Sequence, residues 1–398
     1  MKYKPKTNLQ LLYATLIDIS KSYGPGINEL EFVTSIINKL GEQVHIIIPQ
    51  PKWDIVINIP NVTYVKTTHG MLGYFGQQMK FYTTIRSVIS NGHFNLLITR
   101  SGLLPLGLAL YALAGDVPIA VKTMGEPSLK YLRQQKGLKG VVAKAIRYPH
   151  QWLSKYILSK AIAVDACTPQ LVDRNHILLK INKKKIIHIE NATNIDRFYP
   201  IPKEAARKKT GLIEFDPIIG YVGGKPWERG GKHMILATRE LLKEYPRIGT
   251  VIIGGKGITE LKKYAKNLGV LDRCILPGVI PYAEIPVWVN TFDVGIAFDL
   301  PDRVSYVGNS NQKIRQYIAC GKPVIATPGG NDFLKSNFLG TIVKYNDTFG
   351  FLSALNQWLS QIEEKKREHT RKASKFAREH LSTEKALTKR LEFWSRRL

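Results

Sequence analysis

Short apolar and β-branched runs alternate with stretches of helical periodicity along most of the chain. In the first half, "LLYATLI" leads into a Gly/Pro turn and a helix around residues 28–40, and "QVHIIIP", "FNLLITR", "VPIAVKT" and "KAIAVDACT" follow. In the second half, "PIIGYVG", "IGTVIIGG", "RCILPG", "DVGIAFD" and "KPVIAT" keep the same rhythm. Continuous apolar strands separated by helices predict a parallel sheet covered on both faces. Two such sets predict an α/β protein of two doubly wound domains. The seam is expected near "DRFYPIPKEAARKK", where Pro200 and Pro202 interrupt the pattern and a charged run follows. The expected domains are therefore 1–200 and 201–374, with C-terminal helices at about 375–398 returning to the first.

Length supports this division, since 398 residues with 44% apolar content suffice for two ordinary domains. The opening "MKYKPKTNLQLLYATLIDIS" has basic residues before an apolar run, but the run contains Thr15 and Asp18 and lacks a small-residue cleavage site. It reads as a first buried strand. The apolar stretch at 102–115, "GLLPLGLALYALAG", is shorter than the roughly 20 residues a membrane-spanning helix needs. A soluble or peripheral protein is expected.

Charge narrows the partners. Fifty-eight Lys and Arg against 31 Asp and Glu give +27, which selects anionic ligands: phosphate, nucleic acid or an acidic membrane. Cys167, Cys274 and Cys320 are far apart and without CxxC spacing, so inert core thiols are expected instead of disulfides or zinc ligands.

Candidate chemistry lies at the ends of the predicted strands, where doubly wound sheets bind ligands. Three of these ends are glycine-rich: "SYGPGINELEF", "VGGKPWERGGKH" and "IIGGKGITEL", the last two with Lys225, Arg229, Lys232 and Lys256 in or beside them. Glycine lets backbone approach a phosphate closely. None has P-loop spacing, and the first lacks the GxGxxG of dinucleotide sites. Further along, Lys313 and Gln316 stand one helical turn apart and share a helix face.

These segments resemble the donor-binding domain of the retaining GT-B glycosyltransferases of the group 1 or family 4 type, which include many mannosyl- and N-acetylglucosaminyltransferases of envelope glycolipids and polysaccharides. "GYVGGKPWERGGKHMILATREL" is similar to the family's strand, glycine turn and P-E-K-G segment, and "NQKIRQYIACGKPVIATPGG" resembles its K-x-x-E-Y-x-A-x-G-x-P-V-(I/V)-A signature. The likeness is specific over about 217–345 and looser before it, through the glycine loop at 24–26, "GEQVHIIIP" and "HIENATNIDRFYP".

The resemblance implies a GT-B fold, two Rossmann-like domains facing across a cleft, and a nucleoside-diphosphate sugar, UDP- or GDP-linked, as donor substrate with no cofactor. It implies that Arg229 and Lys313 take the donor diphosphate and that Gln316, where the family usually has Glu, faces the donor ribose. Gly223, Gly224, Lys225, Gly254, Gly255, Val279, Ile280 and Asn311 complete the implied donor site, with base recognition largely by backbone around 276–282. Gly24, Gly26 and Asn28 are implied on the acceptor side, and Glu126 is a candidate for orienting an acceptor hydroxyl or simply for starting a helix.

The departures define a divergent member. Gly308 stands where the family has the first of two paired glutamates, Gly224 where an Arg often follows the first glycine, and Met124 where a His is common. No D-x-D or H-x-x-x-H occurs, so no bound divalent ion is indicated. The implied reaction is sugar transfer with retention, the departing β-phosphate being stabilised by cations and backbone N–H groups.

Between Pro127 and Val164 there are eight Lys or Arg and no Asp or Glu, interleaved with aromatic residues. Lys130, Arg133, Lys136, Lys139, Lys144, Arg147 and Trp152 are the candidates for an anionic membrane surface, each cation contributing about 1 kcal/mol there. This favours a lipid-linked or surface-glycan acceptor and a peripheral location on the cytoplasmic face of the membrane. Two alternatives remain at this level. A nucleotide-sugar epimerase on the same fold would need acid/base groups, for which only Glu126, Glu228 and His233 lie near strand ends. A basic protein binding membrane or single-stranded nucleic acid would use the same cations and aromatics.

Overall fold

The computed structural model describes residues 9–19, 25–51, 61–66, 70–100, 105–115, 117–123, 149 and 151–398. Two compact units emerge. The first comprises residues 1–21, 25–190 and 387–398, and the second 22–24 and 191–386.

The first unit holds a parallel sheet of seven strands: β1 (Leu11–Ala14), β2 (Val44–Pro49), β3 (Val62–Val65), β4 (Leu96–Arg100), β5 (Ile119–Thr123), β6 (Ala163–Ala166) and β7 (Ile186–His188). Their spatial order is β3-β2-β1-β4-β5-β6-β7. Alternation along each strand feeds two cores. Leu11 and Tyr13 of β1 join Ile46, Ile98 and the terminal Trp394 on one face. Leu12 and Ala14 join Ile47, Leu97 and Val121 on the other. Burial of both faces explains why these strands read as unbroken apolar runs.

The second unit holds a parallel sheet of six strands: β8 (Ile218–Val222), β9 (Gly249–Ile253), β10 (Cys274–Gly278), β11 (Val294–Ala297), β12 (Val324–Ala326) and β13 (Gly340–Ile342), ordered β10-β9-β8-β11-β12-β13. The chain runs outward from β8 in one direction through β9 and β10, then resumes on its other side at β11. The topological switch point therefore lies between β8 and β11. Glycines in these strands make room for aromatic rings from the layers above: a Cβ at Gly220 would meet the Phe292 ring, and one at Gly295 the Tyr317 ring.

Three strands absent from the sequence expectation, β3, β7 and β13, are short and outermost, and only partly buried. An edge strand half exposed to solvent lacks the apolar run that marks a central one. The unit boundary also differs from the expected 200/201. It falls at 190/191, because Asn191 is already tied to the second unit, its Nδ2 donating to the Ser310 carbonyl at 2.7 Å. The returning tail is 387–398 rather than about 375–398, because the helix Glu363–Phe376 packs on the second unit. His369 meets Trp358 edge-on with centroids 5.0 Å apart, and Phe376 stacks on Phe333 at 6.0 Å.

The tail docks through its last helix, Thr383–Ser395. Leu387, Leu391 and Trp394 enter the first core. Arg390 Nε and Trp394 Nε1 both donate to the buried Asp165 carboxylate, at 2.8 and 3.2 Å. Cys167 and Cys320 are buried and Cys274 half-buried, and none of the three is in a disulfide. Burial pushes the Cys320 thiol up to about 12, which keeps it protonated and unreactive.

Candidate functional site

The second unit's switch point carries a cluster of cations around one buried carboxylate. β8 ends at Val222, and the chain turns at Gly223 with φ +149°, a conformation that favours glycine. Gly223 donates its N–H to the Ile253 carbonyl at 2.9 Å, and its own carbonyl sits where a Cβ on Gly254 would project. An alanine at Gly254 would displace the Gly223 backbone, and one at Gly223 would press on the Lys313 side chain. Gly254 in turn donates to the Gly278 carbonyl at 2.8 Å, so the ends of β8, β9 and β10 form a side-chain-free floor.

Lys313 lies over this floor. It is the second residue of the helix Gln312–Ala319, whose start is fixed by Asn311 in an extended conformation. Its side chain is 7% exposed, and Nζ makes no hydrogen bond. The ammonium stands 3.6 Å from the centroid of the Tyr221 ring, and a Cβ on Gly223 would lie 2.7 Å from it. Burial first, then the neighbouring Arg229, holds its pKa well below the ordinary lysine value, while Asp299 opposes the shift. Such an ammonium lacks an anion. Gln316, one turn on, is 5% exposed, and its Nε2 donates to the Tyr282 hydroxyl at 3.2 Å. Tyr282 packs on Phe198 with centroids 5.8 Å apart.

Arg229 comes from an irregular turn, Trp227–Gly231, in which it adopts φ −117°, ψ 45° and Gly230 φ +100°. The turn is held from outside by the Tyr345 hydroxyl, which donates to the Glu228 carbonyl at 2.5 Å. Arg229 Nε lies 3.5 Å from Asp299 Oδ1. Asp299 follows β11 and is fully buried. Its carboxylate also accepts from Arg303 and, at 3.3 Å, from Asn311 Nδ2. Arg303 and Asp299 carried no role in the sequence reading. The signal available was an Asp at the end of a predicted strand with an Arg four residues later, which is common and unspecific.

Other expected residues fall as follows. Gly224 has open space where a Cβ would project and accepts from the Tyr221 hydroxyl at 3.0 Å. Lys225 is exposed and pairs with Glu228 at 3.3 Å. Val279 is 53% exposed and covers Gly255, while Ile280 is half-buried. Lys232 lies 5.1 Å from the Trp227 ring, and Lys256 is exposed. His233 faces Asn346, at 3.2 Å, and the rings of Phe298 and Tyr345. Burial lowers its pKa. Gly308 has φ +70° and ψ −177°, a conformation that a glutamate would adopt only under strain, so the missing acidic residue is matched by a backbone only glycine suits.

In the first unit, Gly26 is buried and Asn28 half-buried in the first turns of the helix Pro25–Leu40. Gly24, Glu126, Met124, Lys130, Arg133, Lys136, Lys139, Lys144 and Arg147 lie outside the described residues. Trp152 is 66% exposed and stacks on Tyr156, centroids 6.0 Å apart. This unit's own switch point, between β1 and β4, is filled by ion pairs. Glu29, fully buried, accepts from Arg100 at 2.5 Å and from the Tyr13 hydroxyl, and Lys122 Nζ lies 3.7 Å away. Burial draws Lys122 down to about 8 against the pull of Glu29. Here each charge has a partner, in contrast to Lys313.

Among the described residues, no group of three His, Cys, Asp or Glu could hold a metal ion. Nor is any helix among them long and apolar enough to cross a membrane.

Part of the chain matches a known protein family. Residues 202–378 match the glycosyl transferases group 1. The 2-deoxystreptamine glucosyltransferase of Streptomyces kanamyceticus is 26% identical over 146 residues, 36% of this chain and 38% of that protein. The D-inositol 3-phosphate glycosyltransferase 2 of Catenulispora acidiphila is 22% identical over 183 residues, 43% of this chain and 42% of that protein. The chain thus matches about two fifths of the length of these relatives. The whole fold is similar to GT-B structures. Sucrose-phosphate synthase from Thermosynechococcus elongatus superposes with TM-score 0.77 at 17% identity, over 97% of this chain and 98% of that one. Anabaena HepE in complex with UDP and glucose superposes with TM-score 0.74 at 16% identity, over 97% and 99%.

Proposed function

We propose that this chain, whose residues 202–378 match the group 1 glycosyl transferases, is a GT-B enzyme that moves a hexose from a nucleoside-diphosphate sugar to an acceptor with retention of configuration. The observation that carries the reading is the nearly buried, unpartnered Lys313 ammonium against the side-chain-free turn at Gly223. A diphosphate seated there meets Lys313 and the adjacent Arg229 over a turn whose glycines let it approach the backbone closely. As the sugar leaves, negative charge grows on the β-phosphate, and cations already in place stabilise it without reorganisation. Arg229 offers a planar fork and Lys313 a point charge, two different ways of holding one phosphate pair.

Gln316 is assigned to a donor hydroxyl: its Nε2 is engaged by Tyr282, which leaves its carbonyl oxygen to accept. Val279, Ile280 and the backbone around Gly278 are assigned to the base, of the UDP or GDP type. HepE holds UDP and glucose on this fold, which is in keeping with such a donor. The cations do the work that a divalent ion does elsewhere, so transfer independent of metal is part of the proposal. An epimerase is less well served, since His233 is engaged by Asn346 and two rings.

Acceptor recognition is assigned to the first unit, with Gly26 and Asn28 at its first helix. The exposed Trp152 stacked on Tyr156, with Lys155 and Lys160 on the same helical segment, suits an anionic membrane surface and so a lipid-linked or surface-glycan acceptor at the cytoplasmic leaflet. The test is a hydrolysis and thermal-shift screen against UDP-, GDP-, ADP- and CMP-sugars in EDTA, with and without anionic liposomes. Release of one nucleoside diphosphate in EDTA supports the reading. The absence of any shift or release, with salt-sensitive binding to liposomes or RNA alone, would overturn it.

A further inference from the structure

We propose that Arg303 is a third phosphate-binding cation of the donor site, held ready in the free protein by Asp299. The inference rests on the donor-site reading above and deepens it.

Asp299 is the only carboxylate that pairs with Arg229 among the described contacts, and it is shared. Its Oδ1 accepts from the Leu300 N–H at 2.9 Å and lies 3.5 Å from Arg229 Nε, which makes no hydrogen bond. Its Oδ2 accepts from Arg303 and, at 3.3 Å, from Asn311 Nδ2. One fully buried side chain therefore ties together three segments: the Trp227–Gly231 turn, the short helix Pro301–Val307 and the start of the helix that carries Lys313.

Charge at the cluster is unbalanced. Arg229, Arg303 and Lys313 against Asp299 leave two positive charges, the number a nucleotide-sugar diphosphate would neutralise. Arg303 also lies near enough to Lys313 to help lower its pKa, after burial and Arg229. The side chains of Arg229 and Arg303 are 22% and 31% exposed, so both guanidiniums keep N–H groups free of the carboxylate and open to a ligand. A guanidinium has five N–H donors, and the contact with Asp299 uses one of those on Arg303. The helix carrying Arg303 also packs through Val304 against Gly329, where the Val304 Cγ1 crowds the place a Cβ would take. Transfer leaves the diphosphate with one further negative charge, and a third cation is suited to that charge in particular.

The experiment measures binding of UDP, GDP, ADP and inorganic pyrophosphate, and of uridine, guanosine and adenosine, in EDTA. It uses the full-length wild type, Arg303→Met, Arg303→Lys and Lys313→Met. The expected result is that Arg303→Met weakens the preferred nucleoside diphosphate by about tenfold or more, the usual loss for a hydrogen bond between charged groups. The matching nucleoside is unaffected, and Arg303→Lys recovers part of the loss. Equal weakening of diphosphate and nucleoside, or unchanged diphosphate binding in Arg303→Met while Lys313→Met loses it, would overturn the role of Arg303 and leave the donor site standing. If the wild type binds none of the phosphorylated probes, the donor-site reading falls and this inference with it.

Discussion

Lys313 and Gly223 fit each other as side chain and absence of side chain: the ammonium occupies the space beside the turn that a Cβ would approach to 2.7 Å. Gly223→Ala therefore strikes the site twice. It forces a side chain into φ +149°, costing roughly 1–3 kcal/mol of stability, and it displaces Nζ from the phosphate position. Binding of nucleoside diphosphate falls by about tenfold or more, beyond what the stability loss explains, as isothermal titration of the folded variant would show. Unchanged affinity would mean that the turn does not contact phosphate.

The same burial makes binding pH-dependent. Lys313 in the free protein loses its proton well below the ordinary lysine pH because burial and Arg229 disfavour the charge. A bound diphosphate favours the charge and raises the pKa again. Binding thus takes up protons at pH values between the lowered and restored pKa, and affinity declines as pH rises through that window. Calorimetry in buffers of differing ionisation enthalpy reads this uptake, which Lys313→Met abolishes. Zero uptake at every pH in the wild type contradicts it.

Tyr345 acts on Arg229 through the turn. Its hydroxyl donates to the Glu228 carbonyl, and its ring packs on His233 and Phe298. Tyr345→Phe keeps the ring and removes the hydrogen bond, worth about 1 kcal/mol. The expected effect is a rise of about fivefold in the donor KM with kcat little changed. A fall in kcat alone would place Tyr345 in the chemistry instead.

In the first unit, Glu29 compensates Arg100 and Lys122 in a fully buried setting. Glu29→Gln leaves two buried cations without their anion and costs about 3–5 kcal/mol in denaturant unfolding. A loss below 1 kcal/mol would show that Asp165 and solvent take over the compensation.

How much of this was legible beforehand follows from what each residue does. The central strands were readable because both of their faces are buried, as with Leu11–Ala14 and Gly249–Ile253. The edges Val62–Val65 and Ile186–His188 were not, being partly exposed and short. Lys313, Gln316 and the glycines at 223 and 254 stand out in the sequence because a shared helix face and a glycine-rich strand end are local properties, while their donor-site roles come from the family resemblance. Asp299 and Arg303 were missed because their significance is tertiary: a carboxylate after β11 gains meaning only when Arg229, from a turn 70 residues earlier, arrives beside it. Lys225 was expected as a substitute cation, yet the structure turns it to solvent and pairs it with Glu228. The unit boundary was displaced for a similar reason, because the contact between Asn191 and Ser310 is made 119 residues apart.

The most direct test of the account is a titration of wild type and Lys313→Met with UDP, GDP and ADP in EDTA. The account predicts that one of these binds the wild type without metal and that Lys313→Met binds it at least tenfold more weakly while remaining folded. Equal affinity in the two proteins, or no binding by either, would contradict the assignment of the buried ammonium to the donor phosphates.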